Sequence, residues 1–439
     1  MAESQPPGPD GLPLIGNVWR VLNDRLDFIE ELSEEYGDVV YRNIMRRDSY
    51  MLTHPDDIEE VLKIDDDKYG KMGFKADQTQ RVCGTLVDTD ELSFSERRMN
   101  FDPAFHPDKI AEYSEVMTEF TERTIDDWDD GEVFDLETEI RTLLQRISLK
   151  VFYDYDASWE EGREMSKSFQ RMLPRMDPKR RSIPEWIPTP VNRQYRRELD
   201  KVHDFLEELA DQRRRSDEDR DDLLGMLVEA ADSGEMSEEF LREELFTMMV
   251  ASQETTSFTL MMVIYLLSEH PDAWENLQAE VDEVLGDEPP TMDDLSELTY
   301  TGGVVREALR LYPPAYAVPR VPEEEVQIRE YRIPDGSYIF MPGWAVHRDE
   351  RWYDDPEEFR PERWTSEFKQ DLHEFAFIPF GGGPRVCPGE LFAKVELQLV
   401  LAIVAQNVVL EPVPDERPEL VSGITLRLKD DYEVQVQGR

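Results

Sequence analysis

Phe380-Gly381-Gly382-Gly383-Pro384-Arg385-Val386-Cys387-Pro388-Gly389 is the stretch on which the reading of this 439-residue chain turns. Three consecutive glycines permit a tight backbone path with positive φ, which other residues adopt only with strain. Cys387 then stands at the entrance of a helix predicted over residues 389–406, with Pro388 suited to its first turn. Orphan N–H groups and the positive end of the helix dipole at such a position favour thiolate over thiol, and Arg385 adds a nearby positive charge. A thiolate beside a glycine-flattened surface suits a flat metal macrocycle. A lone cysteine at a helix start is more often packing than ligation, so the weight rests on the ten-residue context.

Outward from this loop, the chain is acidic throughout. Asp and Glu number 98 against 49 Lys and Arg, a formal net charge of −49, and only 12 of the basic residues are Lys. Such a surface repels phosphate backbones and anionic lipid, so neither a nucleic-acid partner nor binding to a membrane surface is expected. At molar salt the Debye length falls to about 3 Å and self-repulsion is screened. The composition resembles that of salt-in halophiles, and a cytoplasmic location in a high-salt cytosol is expected. A hydrophobic content of 39% with 10% aromatics excludes a disordered chain. Two cysteines exclude a disulfide framework and a four-thiolate zinc site. The first eleven residues are polar and proline-rich, unlike a targeting segment. The longest apolar stretch, 241–267, is broken by Ser252-Gln253-Glu254-Thr255-Thr256, so no membrane span is expected.

Pro6 to Gly16 reads as an extended lead-in and residues 38–52 as short strands. Residues 107–285 read as mostly helical. Leu223, Leu224, Leu227, Val228 and Ala231 keep a 3.6 period that stops at Gly234. Ser237 can cap the next helix, with Glu238 and Glu239 in its first turn. That helix can run to His270, before Pro271, a span of roughly 50 Å. Residues 326–328, 331–333 and 338–341 read as strands around a Pro334-Asp335-Gly336 turn. The expected class is mainly α with a small β region. One catalytic domain is expected over residues 1–439, with a proline-rich lead-in at 1–20.

The decapeptide resembles the haem-binding signature of the cytochrome P450 family, Phe-x-x-Gly-x-Arg-x-Cys-x-Gly, at every fixed position: Phe380, Gly383, Arg385, Cys387 and Gly389. Glu307-Ala308-Leu309-Arg310 resembles the family's Glu-x-x-Arg motif, and Pro361-Glu362-Arg363-Trp364 its Pro-Glu-Arg-Phe element. The resemblance implies that Glu307, Arg310 and Arg363 form a buried structural triad. Ala251-Ser252-Gln253-Glu254-Thr255-Thr256 resembles the oxygen-activation motif, with Ser252 where glycine is usual. Phe94-Ser95-Glu96-Arg97-Arg98, followed by Pro103-Ala104-Phe105, resembles the Trp-x-x-x-Arg segment and its sequel, with Phe94 replacing Trp.

The resemblance implies a cytochrome P450-like fold carrying haem b (iron protoporphyrin IX), with Cys387 as axial ligand. It implies Phe380 packed near the sulfur, and Arg98, Arg320 and Arg385 on the propionates, which guanidinium geometry suits. Thr255, aided by Glu254, would deliver protons. His347 reads as a satisfied core histidine and Cys83 as structural.

The implied activity is a monooxygenase that inserts one atom of O2 into a small apolar substrate, lipid or terpenoid-like. Its pocket would draw on residues 72–86, 248–255 and 315–318. No flavin or iron–sulfur domain is legible, so a separate ferredoxin or flavoprotein would supply electrons to a monomer. Arg97-Arg98 and Arg213-Arg214-Arg215 are candidate docking islands, the latter read rather as a solvated helix face. One alternative is a haem-thiolate peroxygenase or peroxide isomerase, which would turn over with H2O2 but not with reductant plus O2. Another is a non-catalytic haem-binding sensor or carrier.

Overall fold

Ser237 accepts a hydrogen bond from the Phe240 N–H at 3.2 Å and so caps the longest helix of the computed structural model, Glu238–Glu269. Glu238 and Glu239 occupy the first turn, where the helix dipole favours acid. The helix stops at His270, and Pro271 opens the next one, as the sequence predicts. The structure describes residues 5–70, 101–176, 183–216, 222–413 and 417–439.

Two compact units divide the chain. Glu238–Glu269 belongs to the unit comprising Lys75–Val305, Pro388–Gly423 and Leu428–Arg439. Every residue from Thr256 to Leu267 is buried, because a helix that is apolar on all faces must be enclosed. It packs against helix Leu136–Tyr153. Glu390–Asn407 packs against Pro107–Asp126, and Pro190–Arg215 against Trp159–Met176. A strand, Val133–Asp135, interrupts the predicted run of helices. It pairs with Glu433–Gly438, which also pairs with Val408–Pro412, both antiparallel.

The other unit comprises Met1–Phe74, Arg306–Cys387 and Ile424–Arg427. Its five-stranded sheet runs in the order Val39–Ile44, Arg47–Leu52, Tyr338–Met341, Val318–Pro322, Tyr69–Gly70. The first two strands form a hairpin, and Arg47–Leu52 then pairs in parallel with Tyr338–Met341, with Ser49 opposite Tyr338. Strands Val326–Ile328 and Tyr331–Ile333 form a separate hairpin at the predicted positions. Leu52, Ile58, Leu62, Ile339, Met341, Phe375 and Ile378 make one buried cluster in this unit. The observed class is mainly α with small sheets. Among the described residues no helix is long and apolar enough to cross a membrane.

Candidate active site

The cysteine loop folds back on itself: the Cys387 N–H donates to the Phe380 carbonyl at 3.0 Å, and the Val386 N–H to the Gly383 carbonyl at 3.1 Å. Gly381 and Gly383 take φ of 77° and 69°. At Gly383 a second constraint applies, because a Cβ there would stand 1.8 Å from the Leu62 carbonyl oxygen. At Gly382 a Cβ would stand 2.6 Å from the Phe375 ring. The glycines therefore let the loop lie directly on the core of its unit. Cys387 is exposed. Pro388 is not in the first turn of the following helix, contrary to the sequence expectation. It lies in a turn before the N-cap Gly389, and the helix begins at Glu390.

Arg385 reaches Asp66, with Nε 3.6 Å from a carboxylate oxygen and Nη2 donating to the Asp66 carbonyl at 3.4 Å. Its Nη1 is buried without a hydrogen-bond partner, an arrangement that is costly unless an acceptor meets it. Arg320 is buried in its strand and donates to the Pro319 carbonyl at 3.0 Å. Arg98, Phe94, Cys83 and the segment 72–86 lie outside the described residues.

In the same unit Glu307 is the centre of a buried charge network. Arg310 grips it with two bonds, Nε to Oε2 at 2.9 Å and Nη2 to Oε1 at 2.7 Å. Arg363 Nε donates to Oε1 at 2.9 Å and the Trp364 indole to Oε2 at 2.9 Å. Arg310 also donates to the His347 carbonyl at 2.8 Å. His347 Nε2 accepts from the Ile378 N–H at 2.9 Å, so Nδ1 carries the proton and faces the Arg310 carbonyl at 3.2 Å. Burial, reinforced by the Arg310 charge, pushes the His347 pKa down to about 3. It is the satisfied core histidine the sequence suggests. Trp364 as a partner of Glu307 is legible only as the next residue after Arg363.

In the helical unit, consecutive residues of Glu238–Glu269 have different fates. Ser252 shares a 2.6 Å hydrogen bond with Ser148, and Gln253 donates to Ser166 at 3.0 Å. Glu254 Oε2 accepts from Arg141 Nη1 at 2.6 Å, while Arg141 Nε holds Glu137 at 2.6 Å. Arg141 is buried, which lowers its pKa, but Glu254 and Glu137 outweigh that and leave it raised. Glu254 Oε1 is buried with no hydrogen-bond partner. Thr255 is half-buried and turns back to the Ala251 carbonyl at 3.4 Å. Sequence reading missed Arg141; its one local signal is Glu137 four residues earlier on the same helix face. Of Arg213-Arg214-Arg215, the last two are exposed, as a solvated helix face requires, and only Arg213 is drawn in. Arg213 binds Asp222 through two bonds of 2.6 and 2.7 Å, and Arg214 binds Asp232 and Glu238.

The cytochrome P450 family model matches residues 6–435. The chain belongs to the cytochrome P450 family. It is 32% identical to the cyclooctat-9-en-7-ol 5-monooxygenase of Streptomyces melanosporofaciens, over 92% of this chain and 89% of that protein. It is also 32% identical to the pentalenene oxygenase of Streptomyces avermitilis, over 95% of this chain and 94% of the relative. The plant protein LUTEIN DEFICIENT 5 of Arabidopsis thaliana is 28% identical, over 97% of this chain and 76% of its own length.

This cytochrome P450 is thus a haem-thiolate monooxygenase, an oxidoreductase that incorporates oxygen from O2. Its residues fit the cofactor. The exposed Cys387 stands on a loop that glycine alone can lay on the core, and the buried Nη1 of Arg385 lacks the acceptor that a propionate is.

Proposed function

We infer that this cytochrome P450 hydroxylates an apolar, terpenoid-like substrate. One atom of O2 enters a C–H bond and the other leaves as water, with an electron pair and two protons consumed. Cys387 would ligate the haem iron, Phe380 would pack near the sulfur, and Arg98, Arg320 and Arg385 would meet the propionates. The haem supplies the binding and cleavage of O2 when it is present. Thr255 would hold and pass a proton from its hydroxyl, and Glu254, beside it in sequence, would feed that step while Arg141 fixes its carboxylate. The buried, unpartnered Nη1 of Arg385 beside an exposed cysteine is the observation that carries the reading.

The names of the Streptomyces relatives, a cyclooctat-9-en-7-ol 5-monooxygenase and a pentalenene oxygenase, support a terpenoid-like substrate. Electrons would come from a separate ferredoxin or flavoprotein. Arg213 and Arg214 are engaged by acids of their own unit, which suits them poorly to docking that partner. The match over residues 6–435 supports one catalytic domain. A charge of −49 favours a monomer, and with only 12 Lys it supports a high-salt cytosol as solvent.

Spectral titration with a terpenoid panel at molar salt tests the substrate class, followed by product analysis with reductant, an electron-transfer partner and O2. A hydroxylated terpenoid formed by the wild type and lost in Thr255→Ala, with haem retained, is expected. Turnover with H2O2 alone would favour a peroxygenase instead.

A further inference from the structure

Arg141 holds Glu137 and Glu254, and Arg310 and Arg363 share Glu307. Arg42 differs from all three. It is only 4% exposed, yet among the described residues it meets no carboxylate. Its Nε donates to the Ser49 hydroxyl at 3.1 Å, and its guanidinium carbon lies 4.4 Å from the centre of the Phe340 ring. No acceptor among the described residues meets its two Nη groups. The chain has 98 acidic residues against 49 basic ones, so a buried cation without an acid is not due to scarcity.

Strand alternation explains how it comes to be buried. Val39 and Tyr41 pack with the core cluster of their unit, so Arg42 leaves the opposite face of the sheet. Ser49 pairs with Asp48's neighbour Arg42 across the hairpin, and Phe340 pairs with Met51 on the same face. The charged group that acts on it most is of like sign. It is Arg25, at the start of helix Arg25–Tyr36, whose Nη1 donates to the buried Tyr316 hydroxyl. All these residues belong to one unit. Burial above all, and then the charge of Arg25, push the Arg42 pKa down to about 10, against an opposing pull from Tyr316. Arg42 therefore stays charged at neutral pH. A buried cation beside a second cation is costly unless a counter-charge reaches it.

We propose that Arg42, backed by Arg25, holds a small monovalent anion against this face of the sheet. Two Nη groups supply N–H donors in a fixed fork, and Arg25 adds positive charge. Chloride needs only donors and a positive field, and a salt-rich solvent supplies it. A singly charged ion also gives up less hydration on burial than a divalent one. The carboxylate of a bound small molecule has the same chemistry and is the second source. The site is independent of the oxygen chemistry. It makes the stability of the sheet unit respond to the kind of anion present and not only to ionic strength.

The test is thermal unfolding of the full-length, haem-loaded protein at constant, molar potassium, with chloride replacing the bulkier methanesulfonate stepwise. The wild-type midpoint is expected to rise with chloride and level off, as binding to the folded state requires. In Arg42→Met the rise should be about threefold smaller or less. Acetate replaces chloride in a second series. A rise with acetate and none with chloride supports the site and assigns it to a carboxylate-bearing molecule. Crystals of the wild type soaked in potassium bromide give a readout that needs no variant: an anomalous peak within hydrogen-bond reach of the Arg42 Nη groups is expected. Equal chloride and acetate responses in wild type and Arg42→Met overturn the proposal. So does a crystal structure with a carboxylate of the chain itself seated on Arg42, or with no anion there in bromide or acetate.

Discussion

Arg141 and Glu254, 113 residues apart in sequence, meet at 2.6 Å inside the helical unit, and both are buried. The pair fixes the carboxylate proposed to feed proton delivery against a neighbouring helix, while Thr255, the next residue, bonds among the described residues only within its own helix. Removing the cation would strand a buried carboxylate. Arg141→Leu is expected to cost about 3–5 kcal/mol in urea unfolding. Glu254→Gln should cost less, because Arg141 keeps Glu137. In product assays Glu254→Gln should slow turnover with the haem spectrum unchanged. Equal stability loss in the two variants would contradict this division of roles.

Glu307 neutralises two buried guanidinium groups at once, those of Arg310 and Arg363. Glu307→Gln leaves both without a counter-charge inside one core, and a loss of about 3–5 kcal/mol is expected. The readout is the unfolding midpoint together with the yield of haem-bound protein. A variant with wild-type stability would show that backbone carbonyls alone satisfy the arginines.

Gly381 and Gly383 both have positive φ, but a Cβ at Gly381 meets nothing within 4 Å. Gly381→Ala should therefore cost only the left-handed backbone, about 1–2 kcal/mol. Gly383→Ala also drives a methyl into the Leu62 carbonyl and should cost about 1–3 kcal/mol more. Thermal unfolding of the two haem-bound variants, run side by side, checks the order.

His347 makes stability depend on pH. Its folded pKa, about 3, lies below the ordinary 6.5, so between these values the unfolded chain binds the extra proton. This contribution is complete above pH 6.5 and is lost as pH falls. By pH 5 the loss amounts to about 2 kcal/mol. Urea unfolding at pH 7 and pH 5 measures it, and His347→Asn should show a smaller decline over the same interval.

Local chemistry made much of this fold readable before any coordinates. Ser237 with its acidic first turn, Pro271, and the Pro334-Asp335-Gly336 turn act within a few residues, and the structure follows them closely. Pro388 shows the limit of such rules: a proline before a helix fits several positions, and the tight turn with Gly389 moved the start to Glu390. The parallel pairing of Ser49 with Tyr338, the grip of Arg141 on Glu254, and the capture of Arg213 by Asp222 depend on packing between distant segments. Periodicity along the chain carries no trace of them.

The central claim is the bond from Cys387 to haem iron, and the reduced carbon monoxide spectrum tests it most directly. The wild type should show the red-shifted Soret band of a thiolate-ligated haem, and Cys387→Ser should lose that band. Wild-type protein that stays colourless with haemin supplied, or a Cys387→Ser variant with an unchanged spectrum, would contradict the assignment.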